Sequence, residues 1–250
     1  MKKVLLSSII SVVILVVVAG GFIYYQYYRN ESTNLYEAIP SDVAWVISVD
    51  PTTGDLNRLA RTGFFNNHDS IDVLDNWYHS LISLDSAVAR NQSLRKIFKT
   101  YPLVVSGHVT GPNTFSELFY LRLNNGNPDG EADQLVKGLV GKKMTKTTRN
   151  YNGTEIREIR LDSATTFTWS VSKGVFIGSF TPYLVEDALR QQKYIKSTSP
   201  AVKLMGFVDT NKKNLVIGIH YNGFHKWVMT QLNTLSGIKL EPLQRVGEWS

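Results

Sequence analysis

The sequence predicts an α+β fold: a mostly antiparallel sheet with amphipathic helices packed on one face, preceded by one transmembrane helix. Three observations carry that reading. Val4–Ile23 is a run of twenty residues without a charged side chain, and as a helix rising about 1.5 Å per residue it spans roughly 30 Å, the thickness of a bilayer's hydrocarbon core. Tight-turn signatures between adjacent apolar segments, above all Asn152-Gly153, outnumber the long crossovers that parallel strands require. An order of strand, turn and one-sided helix also recurs four times along the chain, which is how a sheet acquires a helical layer.

The amino-terminal elements set the topology. Lys2 and Lys3 precede the apolar run, while Arg29 on its far side is followed closely by Glu31, so the positive-inside rule puts the amino terminus in the cytoplasm. Tyr24, Tyr25, Tyr27 and Tyr28 follow the run and suit the outer headgroup layer, ring toward the membrane and hydroxyl toward water. The expected organisation is a cytoplasmic stub and anchor over residues 1–28, a polar tether over 29–35, and an extracytoplasmic domain over 36–250. The rival reading is a cleaved signal peptide, with Val17-Val18-Ala19 as a small-residue cleavage site. Against it, the run is long for a signal peptide and continues into an aromatic belt that a secreted terminus does not need.

In the domain, Val43, Trp45, Ile47 and Val49 alternate with Ala44, Val46 and Ser48, and both phases are largely apolar, as in a strand covered on two faces. Asp50-Pro51 reads as a cap and a helix start, with Leu56, Leu59, Ala60 and Phe64 following at helical spacing. Asp69 or Ser70 caps a longer helix ending near Arg90, with Ile71, Leu74, Trp77, Tyr78, Leu81, Leu84 and Val88 inward. Leu103–Val109 and Phe115–Leu123 pair across Thr110–Asn113, and the turn from Asn124 leads into a helix with Ala132, Leu135, Val136, Leu139 and Val140 inward. Lys143–Tyr151 and Thr154–Leu161 flank Asn152-Gly153, and Thr165–Ser172 returns through Lys173-Gly174 into Val175–Phe180. Thr181-Pro182 opens a helix carrying Leu184, Val185, Ala188 and Leu189. Leu215–Tyr221 leads through Asn222-Gly223 into another with Phe224, Trp227, Val228, Leu232 and Leu235. The predicted core includes Trp45, Phe167, Trp169, Ile177, Ile217 and Ile219.

Composition narrows the chemistry. The chain has no cysteine, which excludes a disulfide framework, thiolate catalysis and cysteine-ligated zinc. Residues 29–135 hold 8 Lys and Arg against 13 Asp and Glu, and residues 136–250 hold 17 against 8, so the two halves carry net charges of −5 and +9. Outside the cytoplasm nucleic acid is not the expected partner. An anionic envelope surface or an acidic protein is, and Lys142, Lys143, Lys146 and Arg149 are the candidate basic contact face. A plain solvated basic face is the competing reading, because no block of five like charges occurs.

Catalytic signatures are missing from the sequence. It contains neither a G-x-S-x-G elbow nor a glycine-rich phosphate loop, and the S-x-x-K spacings at Ser93/Lys96, Ser170/Lys173 and Ser236/Lys239 lack the S-D-N and K-T-G that complete the penicillin-recognising set. Among His68, His79, His108, His220 and His225 none shares a helix face at metal-ligand spacing. His220 and His225 converge only across a turn, and His108 and His220 are candidate neighbours on one sheet. Glu155, Glu158 and Asp162 read as partners of Arg157, Arg160 and cross-strand lysines rather than as an acid–base pair. The Asn-x-Ser/Thr sequons at Asn30, Asn91 and Asn152 matter only in a eukaryotic secretory pathway. No catalytic, cofactor-binding or metal-binding residue is assigned.

The segment Tyr36–Asp50, with Ile39-Pro-Ser-Asp42 ahead of an apolar strand and just outside an amino-terminal anchor, resembles a domain-of-unknown-function family of single-pass bacterial envelope proteins. The resemblance covers the order of elements to about residue 235 and carries no activity with it. It also implies a longer protein, so the ending at Trp249-Ser250 is read as that of a fragment whose segment after Leu235 packs poorly. The function expected is that of a membrane-anchored, non-catalytic interaction or envelope-structural module. The alternative is a hydrolase or small-ligand-binding domain with a cleft near His108 and His220.

Overall fold

The structure, a computed structural model, describes residues 17–18, 20–21, 34–61, 72–111, 114–123, 126–140, 145–194, 199–205 and 215–226. Eight strands form one sheet: β1 (Val43–Val49), β2 (Leu103–Gly111), β3 (Thr114–Arg122), β4 (Lys146–Tyr151), β5 (Thr154–Arg160), β6 (Thr166–Ser172), β7 (Val175–Ser179) and β8 (Val216–Ile219). Their order is β4-β5-β6-β7-β3-β2-β1-β8, and every neighbouring pair is antiparallel. The helices are α1 (Asp55–Ala60), α2 (Asp72–Arg90), α3 (Gln92–Phe98), α4 (Pro128–Val140), α5 (Pro182–Tyr194) and α6 (Pro200–Met205), with a short α7 over residues 221–226. A 3-10 turn, Leu35–Ala38, precedes β1.

The hairpins follow from their turn residues. Asn152 and Gly153 have φ of 52° and 88°, and Lys173 and Gly174 have 49° and 73°. Two successive positive φ values match the right-handed twist of the flanking strands, so β4 pairs with β5 and β6 with β7 at the expected positions. The order of strand, turn and helix is present at all four places, with one shift. Asp50 does not open a helix: its Oδ1 accepts from the Thr52 backbone N–H at 2.8 Å and from the Thr52 hydroxyl at 2.7 Å, closing an Asx turn. The helix α1 begins only at Asp55, after Gly54 at φ 77°.

The helices do not sit on one face, and this corrects the sequence expectation. On one face Trp45, Ile47, Leu103, Leu121, Phe167, Trp169 and Phe176 pack against Leu56 of α1, Val88 of α2, Leu94 and Phe98 of α3 and Leu135 of α4. On the other, Val46, Val104, Leu118, Tyr120, Ile156 and Ile177 pack against the 3-10 turn, Leu184 and Val185 of α5 and Met205 of α6. Strands apolar in both phases leave a hydrophobic surface on each side, and each side needs its own layer. The sheet is the middle of three layers.

Two further expectations change. Ile217 and Ile219 are 51% and 49% exposed rather than core, because β8 lies at the end of the strand order beyond β1. Leu139, expected inward, is 42% exposed near the end of α4. Trp45, Phe167, Trp169 and Ile177 are buried as expected. No helix among the described residues is long and apolar enough to cross a membrane. Val4–Ile23 lies outside the described residues except for Val17, Val18, Gly20 and Gly21, which are helical. Phe64, Ile71, the side chains of Leu74, Trp77 and Val140, and the segment after Leu235 also lie outside them.

Candidate functional site

A bulge at the start of β1 lies beside the buried polar residues Ser106 and His108 of β2. The register between β1 and β2 shifts between Val43 and Trp45, and His108 of β2 stands opposite Val43. Ser106 lies two residues before His108, on the same face of β2. The His108 ring is fully buried between two partners: its Nδ1 is 3.1 Å from Asp42 Oδ1, and its Nε2 is 2.8 Å from Ser106 Oγ.

Donor accounting assigns the protons when the ring is neutral. A carboxylate only accepts, so Nδ1 carries the hydrogen that points to Asp42, and Nε2 accepts from the Ser106 hydroxyl. The Tyr120 hydroxyl lies against Ser106, and complete burial raises its pKa well above that of an ordinary phenol, opposed by Ser106 and assisted by the Asp42 charge. It therefore stays protonated. Asp42 closes the outer end, with its side chain 60% exposed. Desolvation pushes its carboxyl up, but the hydrogen bond and charge of His108, a backbone N–H and the charge of Lys226 outweigh this and hold it below the ordinary carboxylate range. Asp187 of α5 faces the same region, and its pKa is raised, first by desolvation and then by the charges of Asp42 and Glu186, against Arg190 and His108.

The connectivity Ser–His–Asp is that of an acyl-transfer relay, but a nucleophile must reach its substrate. Ser106 and His108 are both 0% exposed, in the layer packed beneath α5. As built, the chain is a hydrogen-bonded peg that ties the start of β1 to β2 and gives both ring nitrogens of the buried His108 a partner. His220 performs a parallel task on the other side of β1. Its backbone N–H donates to the Ala44 carbonyl at 3.0 Å and its Nδ1–H to the Val43 carbonyl at 3.1 Å. The two histidines thus flank β1 on opposite sides and do not converge. Neither lines the 540 Å³ cleft beside α3 and α4. Among the described residues no cluster of His, Asp and Glu has the makings of a metal site.

The basic residues singled out from the sequence are divided. Lys142 and Lys143 lie outside the described residues, as do Tyr24, Tyr25, Tyr27 and Tyr28. Lys146 of β4 reaches Asp133 of α4 at 3.0 Å, and Arg149 reaches Glu158 at 2.9 Å and Glu186 at 2.7 Å. Hydrogen bonding to Glu158, then Glu186, raises the Arg149 pKa against the opposing effect of desolvation. Glu155 pairs with Arg157 at 2.6 Å, whereas Asp162 accepts the backbone N–H groups of Ala164 and Thr165, both at 2.8 Å, and so shapes a turn.

Sequence reasoning pointed to His108 but missed Ser106, Asp42 and Asp187. Ser106 and His108 were visible as two polar residues in one phase of an otherwise apolar strand. Asp42 was not, because it stands 66 residues from His108. The chain matches no protein-family model, no curated protein and no solved structure.

Proposed function

We propose that this protein is a membrane-anchored extracytoplasmic module that binds rather than catalyses. Residues 4–23 hold it in the bilayer, and its domain presents a surface to a neighbouring envelope protein or an anionic envelope component. The observation that carries this reading is the burial of Ser106 and His108: the Ser–His–Asp connectivity among the described residues serves the sheet, and its hydroxyl has no open side for a substrate. The contact face is the basic edge around Lys142, Lys143, Lys146 and Arg149. β4 ends the strand order, and Lys146 and Arg149 keep 38% and 37% of their side-chain surface in solvent despite their acidic partners. Charged edges also discourage strand addition, so the partner is recognised through side chains rather than by extending the sheet.

Proximity crosslinking from the exported domain in its native membrane tests the proposal. The native chain is compared with one in which Lys142, Lys143 and Lys146 are reversed to glutamate. Arg149 is left intact because Glu158 and Glu186 depend on it. The expected result is loss of the main partners on reversal, and a native-chain interaction that weakens steeply as salt shortens the screening length from about 8–10 Å. An unchanged partner list would overturn the basic face. Hydrolysis of a generic ester or peptide substrate that disappears in a Ser106→Ala variant retaining its native circular dichroism would overturn the non-catalytic reading.

A further inference from the structure

The two edges of the sheet differ in chemistry. β4 ends the strand order on one side and carries Lys146 and Arg149, and charged side chains discourage another strand from pairing there. β8 ends it on the other with Val216-Ile217-Gly218-Ile219, which has neither a charge nor a proline. Ile217 and Ile219 are each about half exposed. They stand opposite Ile47 and Trp45 of β1, so they carry past the edge the apolar face on which those two residues are buried. Their main chain is turned outward as well. The His220 N–H donates to the Ala44 carbonyl of the neighbouring strand, and hydrogen-bonding direction alternates along an antiparallel strand. The N–H and C=O groups of Ile217 and Ile219 therefore point away from β1, to the side where no described strand lies.

We infer that β8 pairs antiparallel with β8 of a second copy of this chain, joining the two sheets about a two-fold axis. The edge selects a copy of itself. A two-fold rotation sets the outward donors of one strand against the outward acceptors of the other, so the contact is self-complementary. Isoleucine then meets isoleucine, and no charge is buried. Pairing β8 with β4 of another copy would seat Lys146 and Arg149 beside those isoleucines, and as a head-to-tail contact between opposite edges it would propagate rather than close. In the two-fold dimer both β4 edges stay outside, so the pairing stands or falls independently of the basic contact face. β8 has four residues, few beside the roughly 20–30 a side of a standard interface, so the dimer is weak and dissociates on dilution.

The chain contains no cysteine, so an introduced thiol reports on its own surroundings alone. The full chain in detergent micelles is oxidised with copper phenanthroline as Ile217→Cys, as Ile219→Cys, as an equal mixture of the two, and as Thr148→Cys on β4. Opposed antiparallel residues hold their Cα atoms about 4.5–5.5 Å apart, within disulfide reach. A covalent dimer is therefore expected in at least one of the three β8 samples and not in the β4 control. Sedimentation velocity over a concentration series should show the native chain dimerising reversibly. Ile219→Lys and Ile219→Glu, each with native circular dichroism, should weaken that association at least about tenfold, because like charges then face each other across the axis. The native series needs no variant, so a misfolded variant leaves the inference testable. A chain that stays monomeric throughout would overturn it, as would crosslinking no stronger in β8 than in β4. A dimer indifferent to both charges would also overturn it, by placing the contact elsewhere, residues 4–23 included.

Discussion

Trp169 shows how much one residue contributes here. It is 1% exposed, stands opposite Gly178 and Arg157 in the sheet, and stacks with Phe167 at 6.1 Å between ring centres. Trp169→Ala should therefore cost about 3–5 kcal/mol in chemical denaturation, and a loss below about 0.5 kcal/mol would place that face in water. Its burial was legible because Phe167, Trp169 and Val171 alternate on one strand. Ile217 and Ile219 alternate just as well but are half exposed, because alternation reports a face and not whether another element covers it. Asp42 is a residue that no pattern reveals, and it carries a pH prediction. Its folded-state pKa lies below the unfolded value of about 3.9, so its ionised form adds stability that is present above that value and is lost as pH falls through the folded pKa. With the side chain 60% exposed, solvent screening keeps the contribution under about 1 kcal/mol. Denaturation of Asp42→Asn should show a deficit at neutral pH that closes below about pH 4, and a deficit that persists unchanged at low pH would mean that the carboxylate charge is not its source.

At the scale of elements, turns were more legible than layers. The Lys173-Gly174 pair was read as a return from its residue types alone, and the structure places both at positive φ. A β-branched residue pays about 1–2 kcal/mol in that conformation, so Gly174→Val should lower stability by that amount, while Gly126→Ala, where nothing crowds the added carbon, should leave the denaturation midpoint nearly unchanged. The same substitution logic applies inside the sheet at Gly107, which stands directly opposite Trp45 with the indole lying over it. Gly107→Ala must displace a packed ring, and overpacking of this kind costs about 1–3 kcal/mol. An unchanged midpoint together with an unchanged tryptophan emission maximum would show that the ring does not lie there. The layer arrangement was misread even though the evidence for it was present: β1 is apolar in both phases, which requires cover on two sides, yet helices were expected on one. The helices α3 and α6 went unread because each is under eight residues and too short to display a stripe, although the Asn91 side chain that caps α3 at Ser93 and Leu94 was visible in the sequence.

Across the whole molecule the charge asymmetry of the sequence acquires a structural use. Acidic residues of α4 meet basic residues of the β4–β5 hairpin, with Asp133 on Lys146 at 3.0 Å and Asp129 on Arg157 at 2.6 Å. Part of the positive excess in the second half thus docks a helix from the first half onto its sheet. Composition alone could not reveal this use, because ion pairing depends on which elements meet. The last prediction concerns where this sheet resides. A charge-free run of twenty residues behind Lys2 and Lys3, ending in a tyrosine belt, should leave the amino terminus inside and the domain outside. Protease added to intact spheroplasts should then degrade the domain and spare an amino-terminal tag, whereas protection of the whole chain would refute the orientation. Alkaline carbonate extraction separates the anchor from its rival. An uncleaved span keeps the domain in the membrane pellet together with the tag, because a helix of that apolar length inserts effectively irreversibly. A processed signal peptide releases the domain into the supernatant with a new amino terminus after Ala19, and that result would replace the anchor with secretion.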